Sequence, residues 1–258
     1  MPGKGKELRR RSIVAKGLAV APPRRPPGRE MKIVPSARKI IHPSDNTWLP
    51  RLKNPGGILA EPTRLGVIGG SFDPIHNGHL ALARVCLDTG AVGRILLVPA
   101  AQAPLRAAPA ASPQRRLEMC RLAADDDDRL EVCDLEVHQR RAYTVDTLAR
   151  LAQIFPDRRL ALVIGTDLLA ELSQWRDVPG ILARAEILAV TRGGGRQVKI
   201  PEWINRHRGE MRHILADTPP ISSTLVRSTL AAGDPIDEFV PAAVADYIRR
   251  NRLYSGPQ

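Results

Sequence analysis

Lysine all but disappears after residue 62: in the 196 residues that follow, Lys199 is the one lysine, and arginine fills the other long cationic positions. That absence rules out a GxxxxGK[ST] phosphate loop, and no GxGxxG run is present either. Cysteine is sparse. Cys86, Cys120 and Cys133 make an odd number with no CxxC spacing, which excludes a disulfide frame and a zinc site. They read as free thiols in a reducing compartment, so a cytoplasmic location is expected. No apolar run approaches the roughly 18 residues of a membrane span. KGKELRRR is basic enough to open a signal peptide, but SIVAKGLAVAPP is broken by Lys16 and prolines and makes a poor apolar segment. Aromatic residues are only 3% of the chain, so each one in a motif carries weight.

The formal charge is +12, but it is unevenly spread. Residues 1–62 hold 14 Lys/Arg against 4 Asp/Glu, and the rest holds 25 against 23. A nucleic-acid partner could therefore act only through residues 1–62, because the body has almost no basic surplus. The same 62 residues carry 10 of the 23 prolines and little apolar periodicity. They read as a basic Pro/Arg-rich extension, expected to be disordered or to lie upstream of a true start at Met31. A nucleic-acid arm or an organelle-targeting segment are the other readings.

Residues 63–258 are patterned as one domain. RLGVIGG reads as a buried strand ending in glycines, and GHLALARVCLD as a helix. RILLVPA is a second strand. SPQRRLEMCRLA is a helix with Ser112 as N-cap and Pro113 in its first position. LEVCDLEV, RLALVIG and AEILAVT are further strands, YTVDTLARLAQIF and TDLLAELSQW further helices, and PAAVADYIRRNRLY a last helix behind Pro241. Such alternation predicts an α/β fold, a doubly wound (Rossmann-like) parallel sheet, with its ligand cleft beyond the carboxyl ends of the strands where their order reverses. The acidic run at residues 125–128 follows a helix C-terminus and reads as a solvated loop, not a metal site.

The chemistry concentrates in GGSFDPIHNGHL. Gly69 and Gly70 are expected to let the chain turn sharply off the strand and to admit a ligand closely. A helix starting near Asn77 would aim free N–H groups and its positive end at a phosphate. His76 and His79 would both project from that first turn. A metal role for the pair lacks a visible third ligand, and a plain capping role stays open. A second such start is ISSTLVRS, where Ser222 or Ser223 is a natural N-cap and Arg227, one turn on, can grip a phosphate bidentately.

GGSFDPIHNGHL closely resembles the signature of the HxGH nucleotidyltransferases, and among them the bacterial nicotinate-mononucleotide adenylyltransferases. The likeness extends from residue 64 to about 250. It implies transfer of AMP from ATP to nicotinate mononucleotide, with Mg²⁺, and phosphate contacts for His76 and His79. ISSTLVR resembles the family's ISSTxxR signature, which implies ATP contacts for Ser222, Ser223, Thr224 and Arg227. The first motif adds Gly69, Gly70, Ser71, Phe72 and Gly78 to the ATP site. IGTDLLAELSQW implies ribose contacts near Gly165 and Asp167, and AVTRGG places Arg192 by the nucleotide. DLEVHQRRAYTVDTL resembles the substrate-side segment, so Tyr143 and Thr144 inherit the nicotinate nucleotide, with Trp175 beside the ring. Where the family has a Pro-Pro-His-Lys-like stretch, this chain reads QAPLRAAP, and Arg106 stands for the phosphate-binding lysine with a planar fork in place of a compact ammonium.

The resemblance implies in-line displacement at the α-phosphorus with no covalent intermediate. Nicotinamide mononucleotide and phosphopantetheine remain as acceptors that would use the same chemistry. The phosphopantetheine enzymes typically have Thr where His76 stands. A homo-oligomer is left open by the sequence.

Overall fold

The computed structural model describes residues 40–41, 64–102, 107–139, 141–191 and 198–255. Its elements run β1 (Ile40–Ile41), β2 (Arg64–Gly70), α1 (Asn77–Asp88), β3 (Arg94–Pro99), α2 (Pro113–Ala124), β4 (Leu130–Cys133), α3 (Thr144–Ile154), β5 (Arg159–Gly165), a 3-10 turn at Thr166–Leu168, α4 (Leu169–Leu172), α5 (Val178–Leu182), β6 (Ala185–Val190), α6 (Glu202–Arg206), β7 (Met211–Ile214), α7 (Ser223–Ala231) and α8 (Ala242–Arg250). No helix among the described residues is long and apolar enough to cross a membrane.

The strands pair in parallel in the order β1-β4-β3-β2-β5-β6-β7. Apolar runs make this possible because both faces of β2 to β6 are largely covered, as a parallel sheet requires. Leu65 and Val67 of β2, Leu96 and Val98 of β3, Leu160, Leu162 and Ile164 of β5, and Ile187 and Ala189 of β6 join one core layer. Their alternates Ile68, Ile95, Leu97, Ala161, Val163, Leu188 and Val190 join the other. Helices α1, α2, α7 and α8 cover the second face, and α3, α4, α5 and α6 the first. Each such Leu, Ile or Val contributes roughly 1.5–3 kcal/mol by leaving water.

Chain order reverses between β2 and β5: β3 and β4 lie to one side of β2, and β5 and β6 to the other. The expected cleft is therefore at the carboxyl ends of β2 and β5. Helices that follow parallel strands return along the sheet, so α1 and α3 begin at that same edge.

Several elements differ from the sequence reading. LEVCDLEV is a strand only to Cys133. Beyond it Val137 N donates to the carbonyl of Asp134 and Gln139 N to that of Glu136, so the chain turns while Leu135 and Val137 still pack inward. TDLLAELSQW is a 3-10 turn and one α turn, and Trp175 N closes a further i→i−3 bond to Leu172. No periodicity announces β7, α5 or α6. In α5, Asp177 sits at φ 50° and caps the helix by accepting from Gly180 N at 3.0 Å. The pairing of Ile40–Ile41 with Val132 and Cys133 is likewise unannounced. All three cysteines are buried free thiols, and burial pushes Cys86 and Cys133 up to about 12. In the acidic run, Asp127 accepts from the backbone and guanidinium of Arg129, which lowers its pKa.

Candidate active site

Helix α1 starts at Asn77 with His76 in the N-cap position, as the spacing predicts. His76 is buried, and its ring stacks on that of His79 with centroids 3.7 Å apart. His76 N donates to His79 Nδ1 at 3.3 Å. A ring nitrogen that accepts carries no proton, so neutral His79 bears its hydrogen on Nε2 and is a donor there. Phe72 meets His79 edge-on at 4.9 Å.

The glycines do not make the turn that the sequence reading assigned to them. Gly69 and Gly70 lie within β2, and the reversal falls on Phe72 at φ 48°, followed by a cis Asp73–Pro74 bond. Burial of the Phe72 side chain holds a conformation that costs a non-glycine residue about 1–3 kcal/mol. What Gly69 supplies is room: a Cβ there would meet nothing within 4 Å, at the exposed end of the strand. Gly78 is constrained, because a Cβ would lie 3.0 Å from His76 Nδ1 and 3.1 Å from the carbonyl of Ile221.

Ile221 belongs to the second motif, so the two helix starts are in contact. Ser222 is the N-cap of α7, its Oγ accepting from Leu225 N at 3.1 Å. Ser223 Oγ donates to the carbonyl of Pro74 at 2.9 Å. Arg227 Nη1 donates to the carbonyl of Asp73 at 2.7 Å, and Nη2 to Thr224 Oγ1 at 3.5 Å. Thr224 is exposed and Ser71 half-buried. Gly165 ends β5 beside β2, with exposed Asp167 in the turn that follows. Arg106 and Arg192 lie outside the described residues.

Beneath this rim is a polar network that sequence reasoning missed. The buried carboxylate of Asp73 accepts from Ala110 N at 2.7 Å, Ala111 N at 3.0 Å and Tyr254 Oη at 2.8 Å. Burial and the Asp73 charge both push Tyr254 upward, so it stays a neutral donor. Arg116, fully buried, donates to the carbonyls of Ala111 at 3.1 Å, Ala100 at 2.5 Å and Ala101 at 2.8 Å, and also to that of Ser71. One guanidinium thus ties the exits of β2 and β3 to the approach to α2. Burial lowers its pKa, and Asp73 partly offsets this. A signal was available: Arg116 shares a helix face with Met119, Cys120 and Ala123, an apolar stripe on which a cation needs a buried partner. Tyr254 has no comparable signal.

The residues expected to serve the acceptor nucleotide form a second group at the same edge. Tyr143 precedes α3, Thr144 begins it, and Tyr143 and Trp175 both pack on the core layer beneath α3. The guanidinium of Arg176 lies 4.6 Å from the Tyr143 ring centroid and 3.5 Å from Asp146. Ala142 N donates to the carbonyl of Gln102, joining this segment to the β3 exit. Glu136 is buried and hydrogen-bonded to the hydroxyl of Thr147 on α3.

The described residues contain no group of three or more His, Cys, Asp or Glu side chains that could hold a metal. A doubly wound parallel sheet with two helix starts joined at its switch point, one bearing stacked histidines and the other Ser-Thr-Arg, defines a nucleotidyltransferase of the HxGH kind. A cytidylyltransferase-like family model matches residues 67–229. Curated relatives bearing the name "Probable nicotinate-nucleotide adenylyltransferase" include that of Desulfitobacterium hafniense (strain Y51), 34% identical over 203 residues, covering 76% of this chain and 98% of the relative. That of Chromobacterium violaceum is 38% identical over 208 residues, covering 74% and 98%. The chain belongs to the cytidylyltransferase-like family and, within it, to the nicotinate-nucleotide adenylyltransferases. Among solved structures it is similar to Plasmodium falciparum nicotinic acid mononucleotide adenylyltransferase complexed with NaAD, at TM-score 0.62 and 21% identity over 74% of this chain and 97% of that one. That likeness shows the fold.

Proposed function

We propose that the protein transfers AMP from ATP to nicotinate mononucleotide, giving nicotinate adenine dinucleotide and pyrophosphate in NAD biosynthesis. A phosphate oxygen of the mononucleotide attacks the α-phosphorus in line, and the bond to the bridging oxygen of pyrophosphate breaks. The nucleophile is already an anion and needs no base. Catalysis is then positioning and charge stabilisation. His79, through Nε2–H, His76 and Arg227 neutralise charge that grows on the α-phosphate and the leaving group. Gly69, Gly70, Ser71, Phe72 and Gly78 line the approach of the triphosphate. Ser222, Ser223 and Thr224 flank it from α7, and the family resemblance assigns further phosphate and nucleotide contacts to Arg106 and Arg192. Gly165 and Asp167 serve the ribose, while Tyr143, Thr144 and Trp175 hold the nicotinate nucleotide.

A single observation carries this reading: the loop before α1 and the start of α7 are bonded together, through Ser223 to Pro74 and Arg227 to Asp73. One triphosphate can therefore meet both. A divalent cation, proposed as Mg²⁺, fits a site in which the phosphates are its main ligands, since the Asp73 carboxylate is already occupied by three donors. Bound there, it would supply further neutralisation of the pyrophosphate. The activity is assigned to residues 63–258 and none of it to residues 1–62, and buried free thiols suit a reducing cytoplasm.

The test offers ATP and Mg²⁺ with nicotinate mononucleotide, nicotinamide mononucleotide or phosphopantetheine, and measures pyrophosphate. Nicotinate mononucleotide is expected to give the highest kcat/KM. A clear preference for either of the others overturns the acceptor.

A further inference from the structure

Thr147 has one hydroxyl proton and two acceptors in reach. One is Oε1 of Glu136, and the other is the carbonyl of Tyr143 at 3.2 Å. If Glu136 were ionised, the single Thr147 proton would have to be shared between two acceptors or leave one of them unbonded. If its carboxyl keeps a proton, Glu136 donates to Thr147 Oγ1 and Thr147 donates on to Tyr143, so both contacts are bonds. The surroundings agree. Glu136 is buried and pairs with no cation among the described residues. The titratable and charged groups of this neighbourhood gather around Cys133 at the end of β4: Asp134 with His138 beside it on the same turn, Glu136 itself and the cation Arg150 on α3. The Cys133 thiol is held neutral by burial. Burial pushes the Glu136 carboxyl up to about 7, against an opposing effect of the Thr147 hydroxyl.

We propose that Glu136 is a positioning residue that acts as a neutral carboxylic acid, fixing the first turn of α3 through Thr147 and keeping negative charge away from the place where the anionic acceptor nucleotide binds. The inference rests on the reading that Tyr143 and Thr144 hold that nucleotide. Tyr143 is the residue whose carbonyl closes the first turn of α3, accepting from Asp146 N and Thr147 N. When Glu136 loses its proton, it takes the Thr147 hydroxyl from Tyr143 and leaves an uncompensated charge beside a helix start meant for an anion. Glutamine reproduces the neutral acid, because its amide can donate to Thr147 in the same place.

The experiment measures KM for nicotinate mononucleotide and for ATP, from about pH 6 to about pH 8.5, on wild type, Glu136→Gln and Glu136→Ala. Comparing the variants at each pH cancels the titration of the substrate's own phosphate. The acceptor KM of wild type is expected to rise about threefold to tenfold relative to that of Glu136→Gln as pH passes 7, the scale of one like charge near a partly solvated anion. KM for ATP and kcat should move little, and Glu136→Ala should raise the acceptor KM at every pH. A constant ratio between wild type and Glu136→Gln across the range overturns the proposal. A wild-type protein that uses no nicotinate nucleotide overturns the functional reading instead. The protonation state is then read from the infrared difference between wild type and Glu136→Gln. A carboxylic C=O band at about pH 6 that fades by about pH 8.5 supports the neutral acid, and its absence at about pH 6 refutes it.

Discussion

Arg227 on α7 donates to the main-chain carbonyl of Asp73 in the loop before α1, at 2.7 Å, across 154 residues of sequence. The cation that would grip a phosphate is therefore held by the backbone of the other motif. Asp73 is in turn held by Tyr254, the backbone before α2 and the charge of Arg116. Positioning of this kind, built before the substrate arrives, avoids reorganisation during the reaction.

For Arg227→Ala, kcat is expected to fall about 10²–10³-fold, the usual cost of one transition-state donor. Arg227→Lys should recover only part, because an ammonium cannot bond Asp73 and a phosphate with one planar fork. His79→Ala should lose a similar factor with its circular dichroism unchanged. Steady-state kinetics on the three variants decide the point, and near-normal turnover in either alanine variant removes that residue from the machinery.

Gly78→Ala tests the contact between the motifs. Its methyl would press on the His76 ring at 3.0 Å and on the Ile221 carbonyl at 3.1 Å. Alanine favours a helix by about 1 kcal/mol over glycine, so the clash and the propensity oppose each other in stability. Activity has no such compensation. A fall in kcat of at least about tenfold is expected, with Tm within a few degrees of wild type.

Arg116→Met would leave the carbonyls of Ser71, Ala100, Ala101 and Ala111 without their guanidinium. Methionine fills much of the volume but donates nothing. A loss of about 3–5 kcal/mol is expected from urea unfolding, typical of breaking a buried charged network. A loss below about 1 kcal/mol would mean that water or a shifted backbone satisfies these groups.

Glu136 also gives stability a pH dependence. Its carboxyl is raised from 4.5 to about 7 in the folded chain, so between those values the native state keeps a proton that the unfolded chain releases. Stability from this group is complete below about pH 4.5 and is lost as pH rises to about 7. Glu136→Gln lacks the effect. Its stability should therefore rise relative to wild type across that window, by about 3 kcal/mol near pH 8, read as a widening difference in Tm. Parallel Tm curves would show that the two states bind this proton equally.

The fold was legible where strands are apolar on both faces. RLGVIGG, RILLVPA, RLALVIG and AEILAVT each announce a strand covered on two sides, and all four are strands of the sheet. The start of α1 at Asn77 and the N-cap at Ser112 were also legible, because capping chemistry is local. The Glu136 segment misled for a physical reason. LEVCDLEV reads as one apolar-rich strand, but the period-2 pattern breaks at Cys133–Asp134, where the chain leaves the sheet and a turn carries the Glu136 carboxyl inside.

By itself, then, the sequence determined the strand-helix alternation, both helix starts and the residue types able to meet a phosphate, because these depend on neighbours a few positions apart. Only the tertiary structure decided that Ile221 lies against Gly78, that Tyr254 and Arg227 hold Asp73, and that Arg116 joins two strand exits. Those contacts join residues that are distant in the chain, and their bonds strengthen only where packing has removed the competing water.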